Sequence, residues 1–188
     1  RMAAVYGTKR LVLNVLESSH AEMAADYRSR NRAFMEEWES IKADSYYTKE
    51  YQETSLEKEA AEADAGRSFR LWIFKKGEED RIIGTVGFSN IIKGAFWSCH
   101  LGYKLDKDEI NNGYITEAIQ KGIEIVFGEF GLHRIEANIM PRNKPSLRVA
   151  EKLGFYNEGL AKKYLKINGV WEDHIHMVLL NENSALFT

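Results

Sequence analysis

The chain contains 188 residues, a length typical of one domain with a single hydrophobic core. Its 26 Lys and Arg residues and 28 Asp and Glu residues give a formal net charge of −2, so it lacks the basic excess typical of proteins that bind nucleic acid by general electrostatics. No apolar run approaches the ~20 residues that span a bilayer, so we expect no membrane association. Cys99 is the only cysteine, which excludes a disulfide within this sequence and favours the cytoplasm.

The first third of the chain predicts one strand followed by helices. The β-branched, apolar run at 10–16 is typical of a strand. Residues 18–66 contain no proline, only one glycine and many Ala, Glu, Met and Lys residues, which favours two or three helices. We expect these helices to be broken near Asn31 and around Asp44-Ser45.

Three strands are predicted next. The apolar runs lie at 69–74, 81–88 and 95–105. The polar turn at 77–80 between the first two runs indicates an antiparallel hairpin.

The clearest helix of the chain follows them. Its apolar residues recur at the helical period and form one stripe, which consists of Ile115, Ala118, Ile119, Gly122, Ile123, Val126, Phe127 and Phe130. A short strand at 132–140 then precedes a helix with Asn143 as N-cap and Gly154 after its last turn. Two closing strands at 156–167 and 171–180 are joined by Asn168-Gly169, a strong hairpin signal.

This order of elements predicts an α+β fold. The sheet should be mostly antiparallel, with a strand–helix–strand unit at its centre.

The junction before the clearest helix is the first candidate site. Residues 106–117 end in a helix start, where unpaired backbone N–H groups and the positive end of the helix dipole can hold a phosphate. Asn111, Asn112 and Gly113 allow the backbone to turn tightly there. The segment matches neither the Walker loop nor the three-glycine Rossmann pattern. An ordinary loop, an anion cradle and a nucleotide-phosphate site therefore all remain open.

A set of motifs in order narrows this choice. The segments are Thr8-Lys-Arg-Leu-Val-Leu13, His100-Leu-Gly-Tyr-Lys-Leu105, Asn112-Gly-Tyr-Ile-Thr-Glu-Ala118, His133-Arg-Ile-Glu-Ala137, Asn143-x-x-Ser146, Glu151-Lys-Leu-Gly-Phe155 and Asn168-Gly-Val-Trp-Glu-Asp-His174. Over nearly the whole chain they resemble the GNAT superfamily of acyl-CoA-dependent N-acetyltransferases, most closely its RimJ/RimL-like branch. The resemblance implies one domain over 1–188, with a splayed, mostly antiparallel mixed sheet flanked by helices. Its acceptor-side helices would cover about 18–66, and its acetyl-CoA core about 81–155.

The resemblance also implies acetyl-CoA as co-substrate, threaded between the fourth and fifth strands, without a metal. The cofactor-binding positions carried over are Leu101, Gly102, Tyr103, Leu105, Asn111, Asn112, Gly113, Tyr114, Ile115, Thr116, Asn138, Asn143, Ser146 and Arg148. The chain departs from the usual Gln/Arg-x-x-Gly-x-Gly/Ala cradle, because Ile110 and Ile115 replace its first and last residues. The basic residues at 142–152 have two interpretations: they bind the 3′-phosphate of CoA, or they only face solvent.

Two residues are rival candidates for the general base of the acetyl transfer. His100 occupies a fourth-strand position where relatives often carry Glu, and an imidazole with a reference pKa of about 6.5 suits proton abstraction at neutral pH. Glu136 on the fifth strand is the rival, acting directly or through water. A purely structural role is the alternative for each side chain.

The proton donor to the departing sulfur is a separate question. Ala150 replaces a tyrosine that some relatives use as the acid, and Asn138 replaces a glutamate, so neither can exchange a proton. Ser146 remains as the donor, although a first-turn serine is also an ordinary helix residue.

The acceptor is predicted from the helical region. Trp38, Tyr46 and Tyr47 are candidate substrate contacts, with core packing as the other interpretation. A groove of aromatics mixed with a few acids suits one amine on a mostly uncharged chain, such as the N-terminus of a ribosomal or other protein. An α-amine has a reference pKa of about 7.7–8.0, against about 10.4 for lysine, and is therefore more readily nucleophilic. Acetylation of a polyamine, amino acid or antibiotic, a non-catalytic acyl-CoA-binding module and a homodimer all remain open.

Overall fold

The structure is a computed structural model that describes residues 5–182. The strands of this range are β1 (Val5–Gly7), β2 (Leu11–Asn14), β3 (Phe69–Lys75), β4 (Glu78–Ile92), β5 (Ser98–Leu105), β6 (Arg134–Ile139), β7 (Tyr156–Ile167) and β8 (Val170–Leu180). The α-helices are α1 (Ala21–Arg30), α2 (Arg32–Met35), α3 (Lys49–Asp64), α4 (Tyr114–Gly128) and α5 (Lys144–Lys152). Short 3₁₀ helices lie at Ser18–His20 and Asp44–Tyr47.

All eight strands belong to one sheet with the order β1-β2-β3-β4-β5-β6-β8-β7. Neighbouring strands are antiparallel except β5 and β6, which are parallel and are connected through α4. The predicted α+β class, with a mostly antiparallel sheet and a central strand–helix–strand unit, is confirmed.

Local signals placed most boundaries correctly. The helix break at Asn31 is confirmed, since this residue ends α1. The side-chain oxygen of Asn143 accepts a hydrogen bond from the N–H of Ser146 at 3.3 Å, as expected for the N-cap of α5. The turn Asn168-Gly169 has φ values of 50° and 82°, the left-handed pair that a two-residue hairpin requires.

Two expectations about strands were wrong, and one strand was not predicted. Strand β1 was missed because its three residues are too few to show a period and Val5 is exposed. The turn between β3 and β4 is shorter than predicted, since Lys75 already pairs with Glu78. Strand β5 begins at Ser98 rather than at Ala95, because Gly94 and Trp97 adopt left-handed φ values of 67° and 48°.

The sheet has two faces with separate cores. On one face, which we call the α4 face, Leu101 and Leu105 of β5 belong to the larger core together with buried residues of α4 and α5. On the other, which we call the α3 face, Trp72 packs in a smaller core with Tyr27 of α1 and Leu56 of α3. Side chains alternate between the faces along each strand.

Gly122 marks the tightest contact between α4 and the sheet. A Cβ at this position would lie 2.7 Å from Cε2 and 2.9 Å from Cζ of Phe88, which is itself 1% exposed. Glycine is therefore required at this position of the apolar stripe, because α4 packs too closely on Phe88 to leave room for a side chain.

We expect Gly122→Ala to lower the free energy of unfolding by about 1–3 kcal/mol, because overpacking a buried contact outweighs the better helix propensity of alanine. Urea denaturation measures the difference. Gly128→Ala on the same helix is the matched control, since its Cβ meets nothing within 4 Å and stability should be unchanged or higher. Equal stability of both variants would contradict the packing constraint.

Candidate functional site

Strands β5 and β6 pair over only three residues and then separate. Their parallel register pairs Ser98 with Arg134, Cys99 with Ile135 and His100 with Glu136. Beyond this point β5 stays paired with β4 as far as Leu105, whereas β6 stays paired with β8 as far as Ile139. Each strand follows its own antiparallel partner, so the sheet opens into a wedge with its vertex at His100 and Glu136. The edge of β5 that borders the wedge has no strand partner in the described part of the chain.

The loop 106–113 leads from the open end of β5 to α4. Gly113 is the N-cap of α4 with φ 77°, and Asn111 has φ 66°. The N–H groups of residues 114–116 belong to the first turn and therefore lack intrahelical partners. Among the described residues, no side chain caps this helix in their place. The predicted tight turn is confirmed, and it presents a set of N–H groups that suits an anion.

Arg10 holds the loop in this shape. Its Nη1 donates to the carbonyl oxygen of Asn112 at 2.9 Å, and its Nε donates to Oε1 of Glu117 at 2.8 Å. The guanidinium carbon lies 4.6 Å from the ring centroid of Tyr114. The hydroxyl of Thr8 donates to Oε2 of Glu117 at 2.5 Å. Sequence reasoning missed the role of Arg10, because Glu117 lies 107 positions away.

The acidic residues before the helix are neutralised elsewhere. The carboxylate of Asp106 is buried and accepts a hydrogen bond from Arg30 Nη2 at 2.8 Å. Glu109 pairs with Lys75 at 2.8 Å. Two of the carboxylates that would repel a phosphate are thus bound to cations of α1 and β3.

Tyr103 and Ser146 connect β5 to the start of α5. The Tyr103 hydroxyl donates to the carbonyl oxygen of Ser146 at 2.8 Å, and Ser146 Oγ donates to the Tyr103 oxygen at 3.0 Å. Burial raises the pKa of Tyr103 to about 12, although the hydrogen bond from Ser146 opposes it. The predicted donor Ser146 therefore shares its hydroxyl with a phenol that stays protonated at neutral pH.

The two rival bases lie side by side at the vertex of the wedge. Nε2 of His100 is 3.4 Å from Oε2 of Glu136. On the other side of the ring, Nδ2 of Asn90 is 3.2 Å from Nδ1 of His100. Asn90 has a left-handed φ of 50°, a conformation rare for residues other than glycine. The register of β5 and β6 places His100 and Glu136 next to each other, so the two candidate bases belong to the same site.

Glu136 is the centre of a larger polar cluster. Its Oε1 accepts from Arg134 Nη2 at 2.9 Å, its Oε2 accepts from Asn138 Nδ2 at 3.2 Å, and His176 Nδ1 lies 3.5 Å from Oε2. Burial raises the pKa of Glu136, but the hydrogen bonds from Arg134 and Asn138 and the imidazoles of His176 and His100 outweigh it, so the pKa lies below its ordinary value. Glu136 is therefore a stable carboxylate and a weak base.

His176 was missed as a member of this cluster. Its Nδ1 contacts Oδ1 of Asn138, and its ring packs edge-on against Tyr164 at a centroid distance of 5.1 Å. The contact arises because Asn138 and His176 are directly opposite in the β6–β8 register. The spacing of His174 and His176 in the sequence indicates a shared strand side but not which strand lies beside it.

A cavity of about 180 Å³ adjoins the cluster on the α3 face. Its lining includes Glu59, Arg70, Gly87, Ser89, Gly102 and Lys104. Ser89 is directly opposite His100 in the β4–β5 register, so the cavity and the imidazole are neighbours.

The charges of the cavity are paired. Lys104 forms an ion pair with Glu39, and Arg70 lies 3.8 Å from Glu59. Burial lowers the pKa of Lys104, which Glu39 opposes. A polycation would find no dense acidic wall in this lining.

The three predicted substrate aromatics fall into two groups. Tyr46 and Tyr47 pack edge-on at 5.0 Å, with the guanidinium of Arg32 4.3 Å above the Tyr47 ring. Trp38 lies instead against Arg142, 5.6 Å from its guanidinium carbon. They therefore do not form one continuous aromatic surface.

The segment 36–41, which contains Trp38, is held by hydrogen bonds to the β7–β8 turn. The side-chain amide nitrogen of Asn168 donates to the carbonyl oxygens of Glu36 and Glu39, at 3.3 Å and 3.2 Å. Its side-chain oxygen accepts from the N–H of Ile41 at 2.5 Å. The hairpin turn thus positions Glu39, the partner of Lys104.

The remaining sequence candidates take different places. Leu101 and Leu105 are buried in the core of the α4 face, whereas Gly102 shares the face of His100. Arg148 is exposed on α5. Burial raises the pKa of Cys99 to about 12, so its thiol is a poor nucleophile.

Within residues 5–182, no group of three His, Cys, Asp or Glu side chains is arranged to hold a metal ion. None of the helices in that range has the length and apolarity required to cross a bilayer.

Several known proteins are similar to this chain in sequence and in fold. A family profile described as "Acetyltransferase (GNAT) domain" matches residues 10–156. "Probable N-acetyltransferase YjcK" of Bacillus subtilis is 42% identical over 173 residues, which cover 92% of this chain and 95% of that protein. The ribosomal-protein-S5-alanine acetyltransferase of Vibrio fischeri has a TM-score of 0.91 at 35% identity, covering 96% of this chain and 98% of that one. RimJ of Mycobacterium smegmatis, in complex with CoA-disulfide, has a TM-score of 0.88 at 27% identity, covering 95% and 88%.

The network around Glu117 makes stability depend on pH. Burial raises the pKa of Glu117, but hydrogen bonds from Thr8 and Arg10 outweigh it and hold the pKa below its ordinary value. Such a carboxylate stabilises the fold above its unfolded pKa of about 4.3, and this stability is lost as the pH falls through the folded pKa.

We expect Glu117→Gln to lower the free energy of unfolding by about 1–3 kcal/mol near pH 7, and to differ much less from wild type near pH 3. Denaturation at both pH values measures this. Glu124→Gln, on the exposed side of the same helix, is the control and should show little change at either pH. A pH-independent deficit for Glu117→Gln would rule out the charge as the cause.

Proposed function

The chain belongs to the GNAT acetyltransferase family, and we propose that it transfers the acetyl group of acetyl-CoA to the N-terminal α-amine of a protein or peptide. The observation that carries the proposal is the vertex of the wedge, where His100 and Glu136 adjoin a charge-balanced cavity. Acetyltransferase activity follows from the family, whereas the acceptor, the residue roles and a cytoplasmic location are the proposed part.

The wedge and the α4 start fit the two ends of CoA. The N–H groups of residues 114–116, beside the left-handed Gly113, suit the pyrophosphate, because main-chain donors and the helix dipole attract anions. The unpaired edge of β5 suits the amides of the pantetheine arm, which can bond to a strand edge as an added strand does. The solved RimJ relative contains a CoA-disulfide, which supports this assignment. Ile110 and Ile115 do not weaken it, since backbone groups and Arg10 shape the loop.

The polar cluster suggests how the amine is activated. Glu136 as a carboxylate next to Nε2 favours the His100 tautomer that carries its proton on Nε2, which leaves Nδ1 as the base. In the proposed reaction the amine displaces Asn90 from Nδ1, loses its proton there and attacks the thioester carbonyl directly. The new C–N bond replaces the C–S bond.

The departing thiolate needs a proton donor. The hydroxyl of Ser146, which donates to Tyr103 in this structure, is the proposed donor to the sulfur as it becomes the CoA thiol, and the serine oxygen takes a proton back from water. His100 releases the proton of the amine to water, so protons balance, and no covalent enzyme intermediate is required.

The acceptor site favours one amine on an otherwise uncharged chain. Two acids at the cavity, Glu39 and Glu59, are paired with Lys104 and Arg70. The cavity, at about 180 Å³, is below the roughly 300–1,000 Å³ of typical small-molecule pockets and suits a terminal residue better than an aminoglycoside. The Vibrio fischeri relative is named for an alanine of a ribosomal protein, which supports the same acceptor class.

The acceptor class is tested by measuring thiol release from acetyl-CoA with a panel of amines. Short peptides with free N-termini should give a kcat/KM at least about tenfold above that for spermidine, an aminoglycoside or free amino acids, because only the peptides match a neutral, narrow cavity. N-terminally blocked peptides are the control. A polyamine or aminoglycoside as the best acceptor would rule out the peptide assignment.

The base is tested by a matched pair of variants. We expect His100→Gln to lower kcat/KM by about 10²–10⁴-fold and to remove the acidic limb of its pH profile, since the imidazole takes the proton. Glu136→Gln keeps the shape of the side chain but removes its charge. This variant should lower kcat/KM while retaining the acidic limb of the pH profile. If His100→Gln keeps the wild-type limb and Glu136→Gln loses it, the base is Glu136.

A further inference from the structure

We propose that Gly87 and Gly102 form the floor of a subsite for the side chain of the acceptor's first residue, and that they restrict this residue to a small one. The inference deepens the proposed function and rests on it, since it assumes a peptide acceptor. It assigns a specificity role to two strand residues on the acceptor side of the sheet.

The two glycines lie opposite each other next to the proposed base. Gly87 of β4 pairs with Gly102 of β5, and the next pair on the same face is Ser89 with His100. Both glycines line the cavity of about 180 Å³. The α3 face of the sheet is therefore bare of side chains beside the imidazole.

Neither glycine is required by the backbone. Glycine inside a strand weakens it and often marks a place where a ligand or another backbone approaches closely. The glycines with left-handed φ in this chain are others, such as Gly77 and Gly113, so Gly87 and Gly102 have conformations that any residue can adopt.

Packing does not require them either. A Cβ at Gly102 would meet nothing within 4 Å, and one at Gly87 would meet only Arg70 Nε at 3.8 Å and Gly102 O at 3.9 Å. By contrast, a Cβ at Gly84 would lie 2.5 Å from the carbonyl oxygen of Lys104, so that glycine is explained by packing. Close approach of a ligand is the explanation left for the opposed pair.

The wall of the cavity beside the glycines is charge-balanced. Arg70 and Glu59 both line it, and Arg70 Nε lies 3.8 Å from Oε2 of Glu59. Such a wall suits an uncharged side chain better than a charged one.

The experiment compares peptides that differ only in the first residue, Gly, Ala or Leu, with wild type, Gly102→Ala and Gly87→Ala. Wild type should prefer the Gly- and Ala-first peptides over the Leu-first peptide. Each variant should lower the ratio of kcat/KM for the Ala-first peptide to that for the Gly-first peptide by about tenfold or more, because one misplaced methyl group costs this much in a fitted pocket. Gly87→Ala lies on β4, outside the proposed CoA-binding strand, so its kcat/KM for the Gly-first peptide should change by less than about threefold, and its Kd for CoA and melting temperature should stay at wild-type values.

Gly128→Ala is the matched control and should leave all three rates unchanged, since it lies outside the cavity. Equal losses for all three peptides, no loss at all, or a weakened Kd for CoA in Gly87→Ala would overturn the subsite while leaving peptide acetylation intact. Wild type that acetylates no peptide overturns the proposed function and this inference with it.

Discussion

The early end of the β5–β6 ladder is the constraint on which the rest of the site depends. Two parallel strands that both continue in their own antiparallel pairs must diverge, and here they do so after His100 and Glu136. The divergence leaves one edge of β5 unpaired, which would be costly in a closed sheet but is useful for a ligand that carries amides. It also sets the vertex at the last pair of the ladder, His100 and Glu136, whose side chains are 3.4 Å apart.

Charge pairing then decides what each surface can attract. Arg30 and Lys75 bind the carboxylates of the loop before α4, so the helix start remains favourable for an anion. Around the cavity, Lys104 and Glu39 cancel each other, and this pair is positioned by the turn residue Asn168. Ion pairing therefore leaves the start of α4 attractive to phosphate and makes the cavity nearly neutral.

Sequence reasoning succeeded where the determining residues are neighbours in the chain. The N-cap Asn143, the turn Asn168-Gly169 and the left-handed Gly113 are local signals, and each is confirmed. It failed where function depends on pairing between distant strands. Arg10 meets Glu117 from 107 positions away, and His176 reaches Glu136 only through the β6–β8 register. A single sequence contains no measure of that register, which is also why the two candidate bases could not be recognised as one pair.

Strand β5 would align both substrates, because its side chains alternate between the two faces of the sheet. Leu101 and Tyr103 face the α4 side, where Tyr103 binds Ser146, whereas His100 and Gly102 face the α3 side with the cavity. In the proposed reaction the thioester and the amine therefore approach one strand from opposite sides and meet at its free edge. A direct attack needs both reactants held within a few tenths of an ångström of the productive geometry. One strand, paired with β4 along its length, would provide that alignment.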